Sequence, residues 1–441
     1  MSFIRRVVRM HCMHAHRNVL PGIRYYNLRA LLAPKPNDIV VTNELPDGSI
    51  ADLKEHGLSA YMHYQLKRTD DCMFEAGKND SKFLTMLRAE VPKCGKLIIQ
   101  PYHMTPKVEE LVDLVPGSIL GASRYNLVQR YNDTGLSREA FIARNIRCLP
   151  GGSCSDERSI RNEVRRLRKL NIRMVCVKDP DPYLASGQGL LGKFRTDSSD
   201  SQLEYSLSAV LNLYKAYRGK KRVLVEEWRE DASSSPSVTG HITPDGKIHL
   251  IATTTQILNG KSVYEGSIIP AQVSDDVLLQ LMDTFIKTGN ELADSGWVGV
   301  FCIDFIVFRD LYGKECTVPT ELNARYSNSM YLSNVMWGLD LTHWFGYSLN
   351  LEIPQGTDYD SFRTAIEMIA SSDRNQERVL PFNIGPLHLG KAAIIILINP
   401  AIIPKPLRRA EEICHRVKDV LDPLPMRFHQ PYRVMSHVVA G

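Results

Sequence analysis

The first 135 residues alternate short apolar runs with segments of helical spacing. The apolar runs are "RRVVRMHC", "DIVVTNELPDG" and "GKLIIQPYH", and the helical patterns include "IRYYNLRALLA" and "VEELVDLVPGS". Strands that alternate with helices are typical of a parallel sheet, so we expect a small parallel α/β domain over residues 1–135. Gly, Pro and Ser are frequent near residues 133–155, which predicts a domain boundary there.

Residues 136–350 have the patterns of a second unit. Ile160, Val164 and Leu167 recur at helical spacing, and the strand "IRMVCVKD" follows them. A helix from about residue 200 separates this strand from a second one, "KRVLVEEW". Further on, "SVTGHITPDGKIHLIATTTQIL" predicts a hairpin turned at Asp-Gly, and "GVFCIDFIVF" and "CTVPTELNAR" predict two more antiparallel strands.

The segment 351–441 has fewer clear patterns. "AAIIILI" predicts a strand, and "LRRAEEICHRVKDVL" predicts an amphipathic helix. We expect a C-terminal extension that packs on the preceding unit or on a partner subunit, so a homodimer is one expected arrangement. The sequence shows no internal repeat.

The composition is that of a globular protein with more than one domain. The chain has 441 residues, of which 44% are hydrophobic and 23% are charged. Its formal net charge of +5 is small for this length, which argues against a dedicated nucleic-acid binder. The longest apolar run, residues 392–403, is shorter than the roughly 20 residues that a membrane helix needs. No membrane segment is therefore predicted.

The cysteines and the basic N-terminal segment indicate the cellular compartment of the protein. Nine scattered cysteines without a C-x-x-C pair predict free thiols in a reducing compartment, the cytoplasm. The first 37 residues contain seven basic residues and no acid, which resembles an organelle presequence, although serine is nearly absent. The same segment contains His11, His14 and His16, which are either a metal-binding tract or an incidental cluster.

The segment "SGQGLLGKF" partly fits two phosphate-binding patterns. Gly187, Gly189 and Gly192 match G-x-G-x-x-G, but a dinucleotide fold needs the first glycine directly after a strand and the third at a helix start. Here two prolines precede the glycines and "KFRTDSSD" follows them. A P-loop needs Ser or Thr after its lysine, whereas Phe194 follows Lys193. Taken alone, the segment predicts a surface loop.

Charged and amide side chains at strand ends precede and follow this loop. Lys178 ends the strand before it, and Glu226 and Glu227 end the strand after the next helix. Glu321 and Asn323 lie far downstream in "ELNAR". In order and spacing, "VCVKD", "SGQGLLGKF", "VLVEEW", "GVFCIDF" and "ELNARYSNS" resemble the motifs of the ATP-grasp superfamily over residues 155–345. E-x-N-x-R closing a strand is the most specific of these motifs.

The resemblance implies an α/β fold in three parts. These are a pre-ATP-grasp α/β domain over residues 1–135, a two-lobed ATP-grasp core of mixed and antiparallel sheets over 136–350, and the C-terminal extension over 351–441. It also implies that Asp304, Glu321 and Asn323 supply hard oxygen ligands to one or two Mg²⁺ ions, for which Mn²⁺ can substitute. The alternative for these three residues is a set of solvent-facing side chains at a sheet edge.

The resemblance implies further roles at the phosphates. Lys178 would contact the α and β phosphates, and Gly187, Gly189 and Gly192 would belong to a lid over the γ phosphate. Lys193 would assist there, or is an ordinary exposed lysine. Arg325 would contact the transferring phosphoryl group or the tetrahedral intermediate.

The nucleoside would be held by the strand that ends in "VEEW". Glu226, Glu227 and Trp228 fit the hinge strand at adenine and ribose, and Asp231 would take a ribose hydroxyl. The choice among Glu227, Glu230 and Asp231 stays open, because "REDASSSPS" departs from the usual spacing. A further departure is that "LSREAFIARN" offers Arg138 where the family often has a lysine.

The implied function is that of an ATP- and Mg²⁺-dependent carboxylate-amine ligase working through an acyl phosphate. Domain order resembles the amino-acid and peptide ligases of natural-product biosynthesis of the pheganomycin type. The expected partners are therefore a small-molecule carboxylate donor, such as an amino acid, and an amine or peptide acceptor. The alternatives are an ATP-grasp ligase with a different nucleophile and a scaffold that binds ATP without turnover.

Overall fold

A computed structural model of the chain describes residues 5–12, 23–32, 35–43, 48–58, 62–66, 72–178, 190–218, 222–258, 264–341, 343–371, 373–385 and 387–421. In these ranges the strands form three sheets, and helices pack on them. No helix in these ranges has both the length and the apolar character needed to cross a bilayer. The predicted α/β class is confirmed.

The first sheet is parallel and has the strand order β3-β2-β1-β4-β5. Its strands are β1 (Arg5–Met10), β2 (Ile39–Thr42), β3 (Met62–Gln65), β4 (Lys96–Pro101) and β5 (Ser118–Leu120). Val8 of β1 pairs with Ile39 on one side and Ile99 on the other, and all three are fully buried. Central parallel strands are covered on both faces, which explains their continuous apolar runs.

Short helices connect and cover these strands. They are α1 (Ser49–Glu55), α2 (Met73–Asn79), α3 (Ser81–Glu90) and α4 (Pro106–Asp113), with 3-10 turns at Ile23–Leu32 and Val91–Lys93. Two further helices, α5 (Tyr125–Asn132) and α6 (Thr134–Ala143), lead out of this sheet towards the second one. The described N-terminal residues thus contain a parallel sheet with helices on it, and its limits as a domain over residues 1–135 stay a prediction.

The second sheet is antiparallel and has the strand order β6-β9-β7-β8. Its strands are β6 (Gly151–Cys154), β7 (Met174–Lys178), β8 (Leu190–Arg195) and β9 (Val223–Glu227), and its helices are α7 (Glu157–Lys169) and α8 (Asp200–Arg218). A capping box between Asp156 and Ser159 starts α7. Ile160, Val164 and Leu167 are fully buried on the core side of α7, as their spacing predicts.

The third sheet has eight strands in the order β14-β13-β10-β11-β12-β15-β17-β16. The strands are β10 (Pro236–Ile242), β11 (Ile248–Leu258), β12 (Tyr264–Ile269), β13 (Gly299–Arg309), β14 (Glu315–Asn323), β15 (Phe345–Glu352), β16 (Glu377–Pro381) and β17 (Lys391–Ile398). The associated helices are α9 (Asp275–Asp294), α10 (Asn328–Gly338), α11 (Tyr359–Ile369) and α12 (Pro406–Leu421), with a 3-10 turn at Leu387–Leu389.

The C-terminal strands continue the sheet that carries "GVFCIDF" and "ELNAR". β15 pairs with β12, and β17 lies between β15 and β16. Ile394, Ile395 and Ile396 of β17 are fully buried because both faces of this strand are covered. The boundary expected at residue 350 falls inside β15, and the division into three parts stays a prediction.

Gly266 of β12 lies where β12 and β15 pack closely, so a substitution there tests this contact. A Cβ atom there would lie 1.8 Å from the backbone oxygen of Ser348 on β15. Gly266→Ala should therefore force β12 and β15 apart and lower the free energy of unfolding by about 1–3 kcal/mol or more. Denaturant unfolding measures this change. Gly338→Ala is the control, since its Cβ would be 3.6 Å from Leu58, an ordinary contact. Equal stability of the two variants would contradict the packing described here.

Candidate active site

The pairing of β13 with β14 brings the three predicted metal ligands together. Asp304 pairs with Glu321, and Cys302 pairs with Asn323 two residues further along, on the same face. Directly paired residues point to the same face of a sheet. The amide nitrogen of Asn323 donates a hydrogen bond of 2.8 Å to Oδ2 of Asp304. Asp304, Glu321 and Asn323 thus form one cluster.

Two polar residues that sequence reasoning missed adjoin this cluster. The Ser237 hydroxyl of β10 donates to Oδ1 of Asp304 at 2.6 Å, and the Gln256 amide of β11 donates to the Ser237 hydroxyl at 3.0 Å. Their positions depend on the pairing of β10 with β11 and β13, which no local motif in the sequence encodes.

The electrostatics of the cluster favour a bound cation. Burial, followed by the charge of Glu321, raises the pKa of Asp304 from 3.8 to about 6, although the hydrogen bond from Ser237 opposes the rise. Mg²⁺ is usually held by one or two carboxylates together with substrate phosphates. In the described part of the chain, no group of three or more His, Cys, Asp or Glu side chains is arranged so that it could hold a metal ion. Two carboxylates and an amide oxygen suit a magnesium ion shared with phosphates.

Arg325 lies between this cluster and the first sheet. Its guanidinium is 5.9 Å from the centre of the Tyr102 ring, and Nη1 lies 3.5 Å from the Tyr102 hydroxyl and 3.4 Å from the Tyr326 backbone oxygen. Burial lowers the pKa of Arg325, but the charges of Tyr102, Glu321 and Asp304 outweigh it, so the net pKa is raised. A small cavity beside Arg325 is lined by Tyr102, Tyr326 and residues that follow β4 and β5.

Lys178 links the second sheet to the third. Its ammonium forms a 2.5 Å ion pair with Glu226 and donates a 3.0 Å hydrogen bond to the backbone oxygen of Thr320, the residue before Glu321. Burial lowers the pKa of Lys178, but the charge of Glu226 outweighs it and the net pKa is raised. Lys178 therefore stays a cation next to the carboxylate cluster.

Glu226 is buried between two cations. Arg138 of α6 lies 3.4 Å from its second carboxylate oxygen and also donates to the backbone oxygen of Leu149. The structure thus places Arg138 beside the pair of Lys178 and Glu226. The nucleoside role expected of Glu226 stays a prediction.

The other hinge residues are engaged by neighbouring cations. The Lys193 ammonium lies 4.6 Å from the centre of the Trp228 ring, a distance suited to a cation–π contact. Arg229, which sequence reasoning did not single out, donates to Glu227 at 3.2 Å and to both carboxylate oxygens of Asp231 at 2.8 and 2.6 Å. The roles of Glu227, Trp228 and Asp231 at the nucleoside stay predictions.

Two glycines of the expected lid, Gly187 and Gly189, lie outside the described residues. Gly192 lies in β8, where a Cβ would be 2.6 Å from Val210 of α8. Close packing of the strand on the helix is therefore one reason for a glycine at this position. Its expected role at the phosphate stays a prediction.

Of the three N-terminal histidines, the described one is His11. It is buried, and its Nδ1 lies 2.7 Å from the Tyr331 hydroxyl. Burial and then the charge of Arg9 hold the pKa of His11 well below 6.5. His14 and His16 lie outside the described residues.

Two curated relatives match the chain in sequence. The butirosin acyl-carrier protein–L-glutamate ligase of Niallia circulans is 22% identical over 244 residues, which are 55% of this chain and 55% of the relative. The L-propargylglycine–L-glutamate ligase of Streptantibioticus cattleyicolor is 33% identical over 261 residues, which are 56% of this chain and 51% of the relative. The chain thus spans about half the length of the curated relatives it matches. No family model matches it.

Solved structures share the fold over nearly the whole chain. An N5-carboxyaminoimidazole ribonucleotide synthetase in complex with ADP has a TM-score of 0.55 at 11% identity and covers 94% of this chain and 98% of its own. A biotin carboxylase from Campylobacter jejuni in a β-γ-ATP complex has a TM-score of 0.56 at 10% identity and covers 92% of this chain and 90% of its own. The chain therefore has the ATP-grasp fold, as the sequence motifs imply.

The raised pKa of Asp304 leads to a pH-dependent prediction. Without a divalent cation, the unfolded state loses the Asp304 proton near pH 3.8 and the folded state near pH 6, so the free energy of unfolding falls as pH rises through this window. Asp304→Asn removes this pH-dependent decrease, because an amide does not titrate in this range. The free energy of unfolding of the variant, relative to that of the parent, should therefore be higher at pH 7.5 than at pH 4.5. Urea unfolding in chelator at both pH values measures the difference, and a pH-independent difference would contradict this assignment.

Proposed function

We propose that the chain is an ATP- and Mg²⁺-dependent ligase that joins a carboxylate to an amine through an acyl phosphate. The observation that carries this proposal is the convergence of Lys178 on the strand bearing Glu321, next to Asp304 and Asn323. Lys178, which would bind the α and β phosphates, is therefore adjacent to the carboxylate cluster that would hold Mg²⁺. Phosphoryl transfer requires mainly such positioning and charge neutralisation.

Asp304, Glu321 and Asn323 would hold Mg²⁺, which neutralises phosphate charge when bound. Because the Asn323 amide nitrogen donates to Asp304, its carbonyl oxygen is the atom available to a cation. Lys178 would bind the α and β phosphates, and Glu226 would hold its ammonium in place. Lys193, with Gly187, Gly189 and Gly192, would approach the γ phosphate. Mn²⁺ is expected to replace Mg²⁺.

Arg325 is the side chain proposed to contact the carboxylate of the donor substrate. Its net positive charge lies on the Tyr102 side of the cluster, in contact with the cavity beside β4 and β5. The donor carboxylate oxygen would attack the γ phosphorus, and ADP would leave. The amine would then attack the acyl carbon and release phosphate. Arg325 would stabilise the negative charge that develops on oxygen in both steps.

Glu227, Trp228 and Asp231 are proposed to contact the nucleoside. In this arrangement the carboxylates of Glu227 and Asp231 would accept hydrogen bonds both from Arg229 and from the ribose hydroxyls. The curated relatives are named as ligases of L-glutamate, which supports an amino acid as one of the two substrates. We propose an amino acid or modified amino acid as donor and an amine or peptide as acceptor. A homodimer and the three-part domain division also remain part of this proposal.

The decisive assay measures ADP release with a panel of amino-acid donors and amine acceptors. Release that requires both a carboxylate and an amine, with mass-spectrometric detection of the amide, would establish the ligase. Release with a thiol in place of the amine would favour a different nucleophile. Nucleotide binding with no release under any pairing would favour a scaffold.

Nucleotide binding should stabilise the fold. A ligand at a hundred times its Kd raises the free energy of unfolding by about 2.7 kcal/mol. We expect ATP or ADP with Mg²⁺ to raise the melting temperature, and NADH to leave it unchanged. Lys178→Met should abolish most of the nucleotide shift, whereas Lys247→Met, an exposed hairpin lysine, should retain it. Absence of a shift at millimolar nucleotide would reject the ATP site.

Glu321 should matter for turnover more than for folding, since it is exposed at the end of β14. Glu321→Gln preserves volume but removes one negative charge from the proposed Mg²⁺ site. ADP release should fall by about 100-fold or more, which corresponds to roughly 3 kcal/mol in the activation barrier. Glu315→Gln, at the opposite end of the same strand, is the control and should keep the parent rate. An unchanged rate in Glu321→Gln would remove this residue from the metal site.

A further inference from the structure

Asp304 is held from both sides by neighbouring strands. Ser237 of β10 donates to its Oδ1 at 2.6 Å, and Asn323 of β14 donates to its Oδ2 at 2.8 Å. Glu321 lies directly opposite on β14, and two like charges at paired positions repel each other. These two donors, together with the Cys302 thiol 3.8 Å from Oδ1, therefore fix a carboxylate that repulsion from Glu321 would otherwise turn away.

The Ser237 hydroxyl has a single proton, and its direction is set by Gln256. The Gln256 amide donates to the Ser237 oxygen at 3.0 Å, which occupies an acceptor position of that oxygen. The same amide also interacts directly with Asp304, more weakly than Ser237 does. The hydroxyl proton is then directed to Asp304. Ser237 is only 2% exposed, so bulk water does not compete for this proton.

We propose that Ser237 and Gln256 are positioning residues of the metal site: Ser237 orients the Asp304 carboxylate for the cation, and Gln256 acts through Ser237 by orienting its hydroxyl. This inference rests on the proposed function, because it assigns to Asp304 the role of a Mg²⁺ ligand. Outer partners that orient a ligand typically change metal affinity by about 10- to 100-fold when they are removed.

The chain offers a closely matched control two residues before Ser237. The Ser235 hydroxyl also donates to β13, at 3.0 Å, but its acceptor is the backbone oxygen of Phe305. Ser235→Ala thus removes a hydroxyl that donates to the same strand, β13, without removing a bond to Asp304. A second comparison is Ser237→Thr, which keeps the hydroxyl and adds one methyl group.

The test measures Mn²⁺ binding to the full chain in the presence of ADP, by electron paramagnetic resonance of the free ion. Ser237→Ala should raise the half-saturating Mn²⁺ concentration by about 10-fold or more. Gln256→Met should raise it by about two- to tenfold, the value of one neutral hydrogen bond. Ser235→Ala should leave it unchanged, and Ser237→Thr should stay close to the parent.

The double variant Ser237→Ala/Gln256→Met tests whether Gln256 acts through Ser237. If it does, the double variant should bind Mn²⁺ only slightly more weakly than Ser237→Ala alone, because Gln256 no longer has a hydroxyl to orient and keeps only its weaker direct interaction with Asp304. Multiplied effects would show that Gln256 acts on the site independently and would overturn that half of the proposal. Gln256→Met also carries the test if Ser237→Ala fails to fold, since Gln256 is only half-buried.

The parent chain separates failure of this inference from failure of the proposed function. If the parent binds no Mn²⁺ with ADP, the nucleotide–metal site is wrong and the positioning role is wrong with it. If the parent binds Mn²⁺ and Ser237→Ala binds it equally well, only the positioning role is overturned. A weakened Ser237→Ala beside an unaffected Ser235→Ala would support it.

Discussion

The electrostatic repulsion between Asp304 and Glu321 is the constraint on which the candidate site depends. The register of β13 and β14 places these two acids side by side, and the surrounding protein places polar donors and cations around them. Ser237 and Asn323 donate to Asp304, Arg325 lies nearby, and the Lys178 ammonium reaches the backbone next to Glu321. Such an arrangement is costly in a resting protein and becomes favourable when a divalent cation occupies it.

Local patterns were sufficient for many of the elements before residue 350 and for the residues at their ends. The spacing of Ile160, Val164 and Leu167 predicted α7, and "ELNAR" at the end of a strand marked Glu321 and Asn323, which the structure brings to Asp304. These predictions succeed because amphipathic spacing and strand termini are properties of short segments.

Long-range pairing is where sequence reasoning fell short. Ser237 and Gln256 sit next to Asp304 only because β10 lies between β11 and β13, and that order is not written in any one segment. The same limit applies to β17, which was expected as a strand but whose place between β15 and β16 was not. Arg229 was also overlooked, since its contacts with Glu227 and Asp231 depend on side-chain directions beyond the strand end.

The third sheet also bears on how the protein is made. Its strands come from residues 236–398, and β12 completes its hydrogen bonding only when β15 has been synthesised about eighty residues later. Until then, the newly made half that carries Asp304 and Glu321 has an unpaired edge at β12, and unpaired edges promote association between chains. During synthesis, this half of the sheet therefore keeps an open edge until β15, residues 345–352, is available to pair with β12.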